Sequence, residues 1–332
     1  HRSGHSFPTR RSSDLSDLNG QICSVESNQV TVTVEPELVP GVAITGTTTI
    51  CSGGDPANIT VGNGGGPART PAGAGISFLW QTSPNNLDPW TNTAITTEAY
   101  DPAAGSQTTD LYYRRVVIRS SGLTELCRAN STSVLVTLNS VTAGTITTTV
   151  STICNGDTPP IITNLTEALA DASRSYKWYS RSRPSSAAPY GPWAAAGGAD
   201  TFNSYQPSAL TSDTQFIREA TSTDGALACT VSSSIIEIKV NPASNLATAS
   251  PDQVICSGES PSQLTFTGAN TGPGYVNQWL ESDDNITYNP IPGAFGIAYS
   301  PPALTAAKFY KLQTTYTNGG ISCTTSTTGS TE

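Results

Sequence analysis

From residue 28 onward the chain keeps returning to one pattern, an apolar residue at every second position. Val30, Val32 and Val34 show it first, then Val134, Val136 and Leu138, then Ile236, Ile238 and Val240, each run broken only by single residues between. A period of two marks a strand with one buried face. Three further runs, GISFLWQ, SYKWYS and YVNQWLE, are strand-like around Trp80, Trp178 and Trp279, and each is followed later by an aromatic-rich run: LYYRR, QFIRE and KFYKL. Those runs enter Gly-containing turns (SSG, TDG, NGG), which predicts β-hairpins. No stretch sustains the helical period; the best candidate, LTEALADAS from Leu165 to Ser173, predicts one or two turns within a loop. The chain is therefore expected to be all-β.

The pattern is also repeated on a longer scale. ICSGGDP begins at Ile50, ICNGDTPP at Ile153 and ICSGESP at Ile255, so that Cys51, Cys154 and Cys256 stand about one hundred residues apart. Each is followed by a Gly two residues on (Gly53, Gly156, Gly258), then by a Pro and a Thr at fixed offsets. The Trp comes next, then a turn (Pro89-Trp90, Pro192-Trp193, Pro290-Ile291), then Tyr-x-Pro (Tyr100, Tyr205, Tyr299) and the aromatic run, in which Arg114, Arg218 and Lys311 are aligned. A second Cys closes the hairpin: Cys127, Cys229 and Cys323. The alternating aliphatics follow it, and Cys23 stands in the same relation to Val30, Val32 and Val34. Units are expected at 41–139, 140–242 and 243–332, preceded by 16–40, which reads as the closing strand of an upstream unit with its linker. Units of about one hundred residues can each bury a core of their own. The joints EPELVP, NSV and NPASNL are short and partly Pro-bearing, hence semi-rigid.

Composition narrows the class. Charged residues make up 12% and the net charge is −9, which argues against nucleic acid, where a basic stripe is expected. No apolar run is long enough to span a bilayer, so membrane insertion is not expected of this segment. Residues His5 to Leu15 (HSFPTRRSSDL) resemble a translated sequencing adapter, and 1–15 are set aside as a non-native leader. Both histidines, His1 and His5, leave with it, and the remainder has neither His nor Met, as expected of an internal piece of a longer reading frame.

Candidate chemistry is thin. Without His, the Ser-His-Asp and Cys-His arrangements and the common metal triads cannot be assembled, and no carboxylate pair is singled out. No enzymatic activity, cofactor or metal is expected. ESDDN (Glu281 to Asn285) has acidic side chains but not the spacing of a calcium loop. Asp55, Asp157 and Glu259 recur beside Gly and Pro, as turn formers do. GNGGG (Gly62 to Gly66) lacks the Lys and Ser/Thr of a phosphate cradle, and the N-x-[ST] sites at Asn58, Asn130, Asn164 and Asn285 are read as ordinary strand and loop residues. Trp90 and Trp193, beside Pro in turns, are the aromatics best placed to contact a ligand. Seven Cys, two per unit plus Cys23, imply disulfides and an oxidising compartment.

Taken together, the IC(S/N)G turn, the W(Q/Y) strand, the P-W turn, Tyr-x-Pro, the YYRR-type strand and the Cys before alternating valines resemble the immunoglobulin-like repeats of very large bacterial surface and secreted proteins. These are the repeats associated with gliding motility and type IX secretion. The resemblance covers about residues 16 to 332. It implies tandem immunoglobulin-like β-sandwiches, an extracellular or cell-surface location, and a non-catalytic structural or adhesive stalk meeting a surface protein or glycan not identified by the sequence. The alternative is a carbohydrate-binding array attached to a secreted enzyme. In such a sandwich a Trp on the third strand is core, so Trp80, Trp178 and Trp279 are expected inside, with Tyr112, Phe216 and Phe309 from the aromatic runs.

The closing strand of such a sandwich can lie parallel beside the first. That makes the two Cys of one unit lateral neighbours and predicts Cys51–Cys127, Cys154–Cys229 and Cys256–Cys323. If the first Cys instead sits at the turn after its strand, a strand of about seven residues would hold the pair some 20 Å apart, against a limit of about 7 Å between Cα atoms. The rival scheme pairs Cys127 with Cys154 and Cys229 with Cys256.

After Cys323 the closing positions fall on Ser330 and Glu332. The third unit is thus expected to be C-terminally truncated and to lack most of its final strand, leaving an open edge along Lys308 to Tyr316. Gln29 to Val34 is expected to be extended and poorly packed, or to fill a vacant edge. Hydrogen exchange should show the third unit least protected; equal protection in all three would show the strand count to be wrong.

Overall fold

The computed structural model describes residues 15–16, 22–23, 28–46, 48–63, 70, 73, 75–245 and 247–326. Nearly all of the leader, residues 64–66 of the Gly-rich loop, and Ser330 and Glu332 lie outside the described residues. Every element among the described residues is a strand. Leu165 to Ser173 contains no helical turn, because Thr163–Thr166 pairs with Thr145–Thr147 in a sheet.

The first unit is a sandwich of two sheets. The larger has the spatial order Thr49–Cys51, Val134–Asn139, Leu111–Ser121, Ile76–Ser83, Thr91–Asn92, with Thr124–Asn130 folded back on the outer half of Leu111–Ser121. Val42–Thr45 and Ile59–Gly62 form the smaller. The second unit repeats this order with Thr152–Cys154, Ile236–Asn241, Thr214–Asp224, Ser173–Ser182, Ala194–Ala195 and the returning Leu227–Ser232. In both, the closing strand runs parallel to the strand of the first Cys and antiparallel to the aromatic strand. The third unit keeps Tyr275–Ser282, Phe309–Asn318 and Ile321–Ser326 in one sheet. Residues 251–256 there form no strand, and no closing strand lies beside them among the described residues.

Each core is built on three rings. Trp80, Trp178 and Trp279 are wholly buried. Against them lie Tyr100, Tyr205 and Tyr299 of Tyr-x-Pro, at centroid distances of 5.8, 5.5 and 5.6 Å. Tyr113, Phe216 and Tyr310 complete the columns at 5.8, 5.8 and 5.9 Å. The inward residues of the first and third units are thus Tyr113 and Tyr310, and the expected Tyr112 and Phe309 lie on the other face, half-buried. Two adjacent aromatics satisfy the apolar pattern equally, and a one-residue change of register exchanges the faces.

The same shift corrects the basic positions. Arg115, not Arg114, stands opposite Trp80 as Arg218 stands opposite Trp178, and Leu312 takes this place opposite Trp279. Both arginines are fully buried. Arg115 donates to the carbonyls of Glu98 (2.9 Å) and Pro40 (3.5 Å) and lies 4.1 Å from the Phe78 ring. Arg218 donates to Asn164 Oδ1, Asn203 O and Ala143 O at 2.7, 2.7 and 2.8 Å, beside the Tyr176 ring. Each pins the entering linker of its own unit, and such bonds offset the cost of desolvating a cation. In the third unit Asn277 replaces the aromatic and bonds to Thr314 and to Asn270 O.

Burial pushes the phenols of Tyr113 and Tyr310 up to about 12. Their folded values lie above the unfolded value of about 10, so their contribution to stability is complete below pH 10 or so and is lost as pH rises toward 12. Alkaline unfolding, followed by phenolate absorbance and Trp fluorescence, should therefore begin above about pH 10; free titration of these phenols in a folded chain near pH 10 would contradict the packing.

Candidate functional site

The residues that the units hold in common converge on the joints between them. Gly53, Gly156 and Gly258 all have positive φ, which a side chain would strain, and each turns the chain immediately after the first Cys. Cys51 ends its strand beside Asn139, and Cys154 beside Asn241, so the first Cys lies where the chain leaves the unit. The second Cys lies elsewhere. Cys127 is opposite Arg119, about 26 Å along the aromatic strand from Leu111 at about 3.3 Å per residue. The two Cys of one unit are at opposite ends of the sandwich, so the expected Cys51–Cys127, Cys154–Cys229 and Cys256–Cys323 pairs do not form.

The pairing is offset by one unit. Cys51 is bonded to Cys229 and Cys154 to Cys323, with Cα atoms 5.4 and 5.5 Å apart. The rival scheme fails too, because Cys127 lies at the hairpin end of the first unit and Cys154 at the exit end of the second. Cys127, half-buried, and Cys256, exposed, are free thiols.

A polar clasp accompanies each bridge. The first residue after the alternating aliphatics is Asn139 or Asn241, both buried. Asn139 Nδ2 donates to Ser222 O (3.1 Å), and Ser222 Oγ donates back to Asn139 Oδ1 (2.5 Å). Asn241 Nδ2 donates to Asn318 O and Ile321 O at 3.3 and 3.1 Å. The linker is tied down as well: Ser140 N donates to Asp171 Oδ2 and Thr142 N to Leu169 O. Gly319 packs so closely on Thr152 of the preceding unit that a Cβ there would stand 2.7 Å from its hydroxyl. Sequence reasoning missed the two Asn, whose only signal was their shared offset from the second Cys.

The candidate ligand contacts are already engaged. The Arg114 guanidinium lies 4.0 Å from the Trp90 ring and bonds to Gln81, and Arg181 lies 4.4 Å from Trp193 and bonds to Gln215. In the third unit Lys311 covers Tyr288 at 4.1 Å. Glu281 and Asp283 of the acidic cluster face Lys308 at 3.5 and 3.1 Å. Asp284 accepts from Thr287 N, Ile286 N and Ser282 Oγ, which hold its carboxyl below the usual range. Asn85 turns the equivalent hairpin of the first unit with Ser83 and Leu87 N.

The sequence profile of a domain of unknown function, DUF8696, matches residues 40–140 and 245–332, more than half of the chain. The chain belongs to this family. The middle unit has the same strand order and the same pair of cysteines. No curated protein matches. Among solved structures, the chain is similar to the FN1-FN3 domains of chicken CNTN1 (10% identity, 87% of this chain and 98% of that one, TM-score 0.24). It is also similar to Sidekick-1 immunoglobulin domains 1-5 (13%, 88% and 57%, 0.23) and to a marsupial T cell receptor (10%, 87% and 99%, 0.27). This chain spans only 57% of the Sidekick-1 chain. The fold assignment rests on the strand topology described above.

The clasp of these DUF8696 units has a measurable weight. Asn139→Leu removes both bonds of the clasp, leaving the buried Ser222 hydroxyl, which still accepts from Ala172 N, with no acceptor for its own proton, and is expected to destabilise the chain by about 1–3 kcal/mol. Denaturant titration of the single variant and of Asn139→Leu with Ser222→Ala measures this, and the double variant should recover part of the loss. No change on Asn139→Leu would show the clasp to be incidental.

Proposed function

We propose that the chain is a load-bearing, non-catalytic segment of an extracellular stalk. The observation that carries this reading is the offset of the disulfides. Cys51–Cys229 and Cys154–Cys323 overlap in sequence, so each bridge encloses an end of the other. Between the two bridges the polypeptide then runs in three parallel arms: 52–153, 155–228 and 230–322. A pull on the two ends is shared among them, and extension stops when the shortest arm is taut. Sandwiches joined only by linkers would instead unravel one after another.

Disulfides at both joints between the three units suit an oxidising, extracellular setting. The sequence resemblance extends this to a bacterial cell-surface or secreted protein of the gliding-motility, type IX secretion kind, with a surface protein or glycan as partner. A non-catalytic role is supported by what the shared residues do: rings fill cores, arginines pin linkers, and cysteines and asparagines close joints. The carbohydrate-binding alternative is weaker. Its best rings, Trp90 and Trp193, each have a guanidinium against one face.

Single-molecule stretching tests the stalk. With both bridges intact, the unfolded length between Cys51 and Cys323 should be limited by the arm of about 75 residues to about 260 Å, against roughly 950 Å after reduction, at about 3.5 Å per residue. The same length with and without reductant would overturn the load-sharing reading.

A further inference from the structure

The two bridges join cysteines that are not neighbours in sequence. Cys51–Cys229 and Cys154–Cys323 span 178 and 169 residues, and each passes over two other cysteines. Nearer partners exist: Cys127 and Cys154 are 27 residues apart, as are Cys229 and Cys256. In an unfolded chain, loop-closure entropy makes those short loops roughly sixteenfold more probable than the observed ones. Thiols oxidised before folding would therefore pair mainly with their neighbours.

The folded units reverse this preference. Cys127 lies opposite Arg119 near its hairpin, whereas Cys154 ends its strand beside Asn241 at the exit of the next unit, so this short pair is held apart. Among the described residues, the core clusters of the first two units are each made of residues of that unit alone and include no bridged cysteine. The joint between them is set by hydrogen bonds. Asn139 is the cross-strand neighbour of Cys51, and Ser222 that of Cys229. The Asn139–Ser222 clasp thus brings the correct thiols together, with Cα atoms 5.4 Å apart. Asn241, the neighbour of Cys154, does the same through Asn318 O and Ile321 O. The two cysteines of a pair are unequal. Cys51 and Cys154 keep part of their surface exposed and lead into exposed turns at residues 52–53 and 155–156, but Cys229 and Cys323 are only 3 and 9% exposed.

We propose that Cys51 and Cys154 are the entry thiols at which a disulfide oxidant acts on units that are already folded. The Cys51 thiolate attacks one sulfur of the oxidant, forming a mixed disulfide and releasing one thiol. The Cys229 thiolate, held in the joint, then attacks Cys51 Sγ, and the second half of the oxidant leaves as a thiol while the bridge closes. Two electrons and two protons pass from the cysteine pair to the oxidant, whose disulfide becomes two thiols. Cys154 and Cys323 follow the same course. The reaction class that completes this chain is thiol–disulfide exchange on a folded substrate, and it holds whether or not the chain bears load.

Oxidation of the whole chain by glutathione disulfide, quenched with acid and mapped as peptides, tests this on Cys51 and Cys229, whose units both have a closing strand. The reduced chain in native buffer is expected to keep its β-sheet circular dichroism and buried-Trp fluorescence. It should form Cys51–Cys229 with no Cys127–Cys154 peptide preceding it, whereas oxidation in denaturant should yield Cys127–Cys154 in at least about tenfold excess. In Cys229→Ser, glutathione should remain on Cys51. In Cys51→Ser, Cys229 should be modified at least about tenfold more slowly than that, with the difference lost in denaturant. The wild-type time course decides the outcome by itself should a serine variant unfold. Cys127–Cys154 formed first in native buffer, a reduced chain without sheet, or Cys229 capped as fast as Cys51 in folded variants would each overturn the proposal.

Discussion

The offset disulfide is the constraint on which the rest of the architecture depends. The closing strand runs parallel to the strand of the first Cys, so the chain leaves each sandwich beside that Cys. The joints are short and their polar atoms are fixed by Asn139, Asn241 and the residues around them. Only the hairpin of the following unit can then reach the thiol. The covalent bond, the buried Asn and the docked linker each hold the same relative position, and the glycine turn after the first Cys frees the backbone to make the corner.

Within this frame the cores are built in two ways. The first two units place a buried Arg next to an aromatic ring and use its donors to fix the linker carbonyls. The third substitutes Leu312 and Asn277, which fill the same space without a charge. Among the described residues its Trp279 indole N–H is buried without a hydrogen-bond partner, whereas those of Trp80 and Trp178 donate to Thr97 O and Phe202 O. The ring column is common to all three, so the apolar contacts define the fold and the polar ones vary with the neighbours.

Much of this was legible in the sequence. The all-β class, the hairpins and the buried Trp follow from periodicities that local packing must respect, whereas Tyr-x-Pro was legible only as a recurring motif and its ring was not placed in the core. Tyr112 and Phe309 were misplaced because each adjoins a second aromatic, and only cross-strand register decides which of the two faces the core. The disulfide pairing was not legible for a different reason. Pairing within a unit and pairing offset by one unit use the same two cysteines per repeat, and a repeated pattern looks the same when shifted by its own period. Trp90 and Trp193 could be located in turns, but the arginines laid against them come from neighbouring strands and are set by the fold.

The overlapping bridges have a consequence for damage. With three segments of chain running side by side between the two disulfides, a cut in any one of them, such as the exposed loop around Ser185 and Ser186, leaves the two ends of the molecule covalently joined. Even two cuts in different segments do so. Exposed to proteases, the chain would thus accumulate nicks and remain one piece, its integrity residing in the cross-links as much as in the continuity of the backbone.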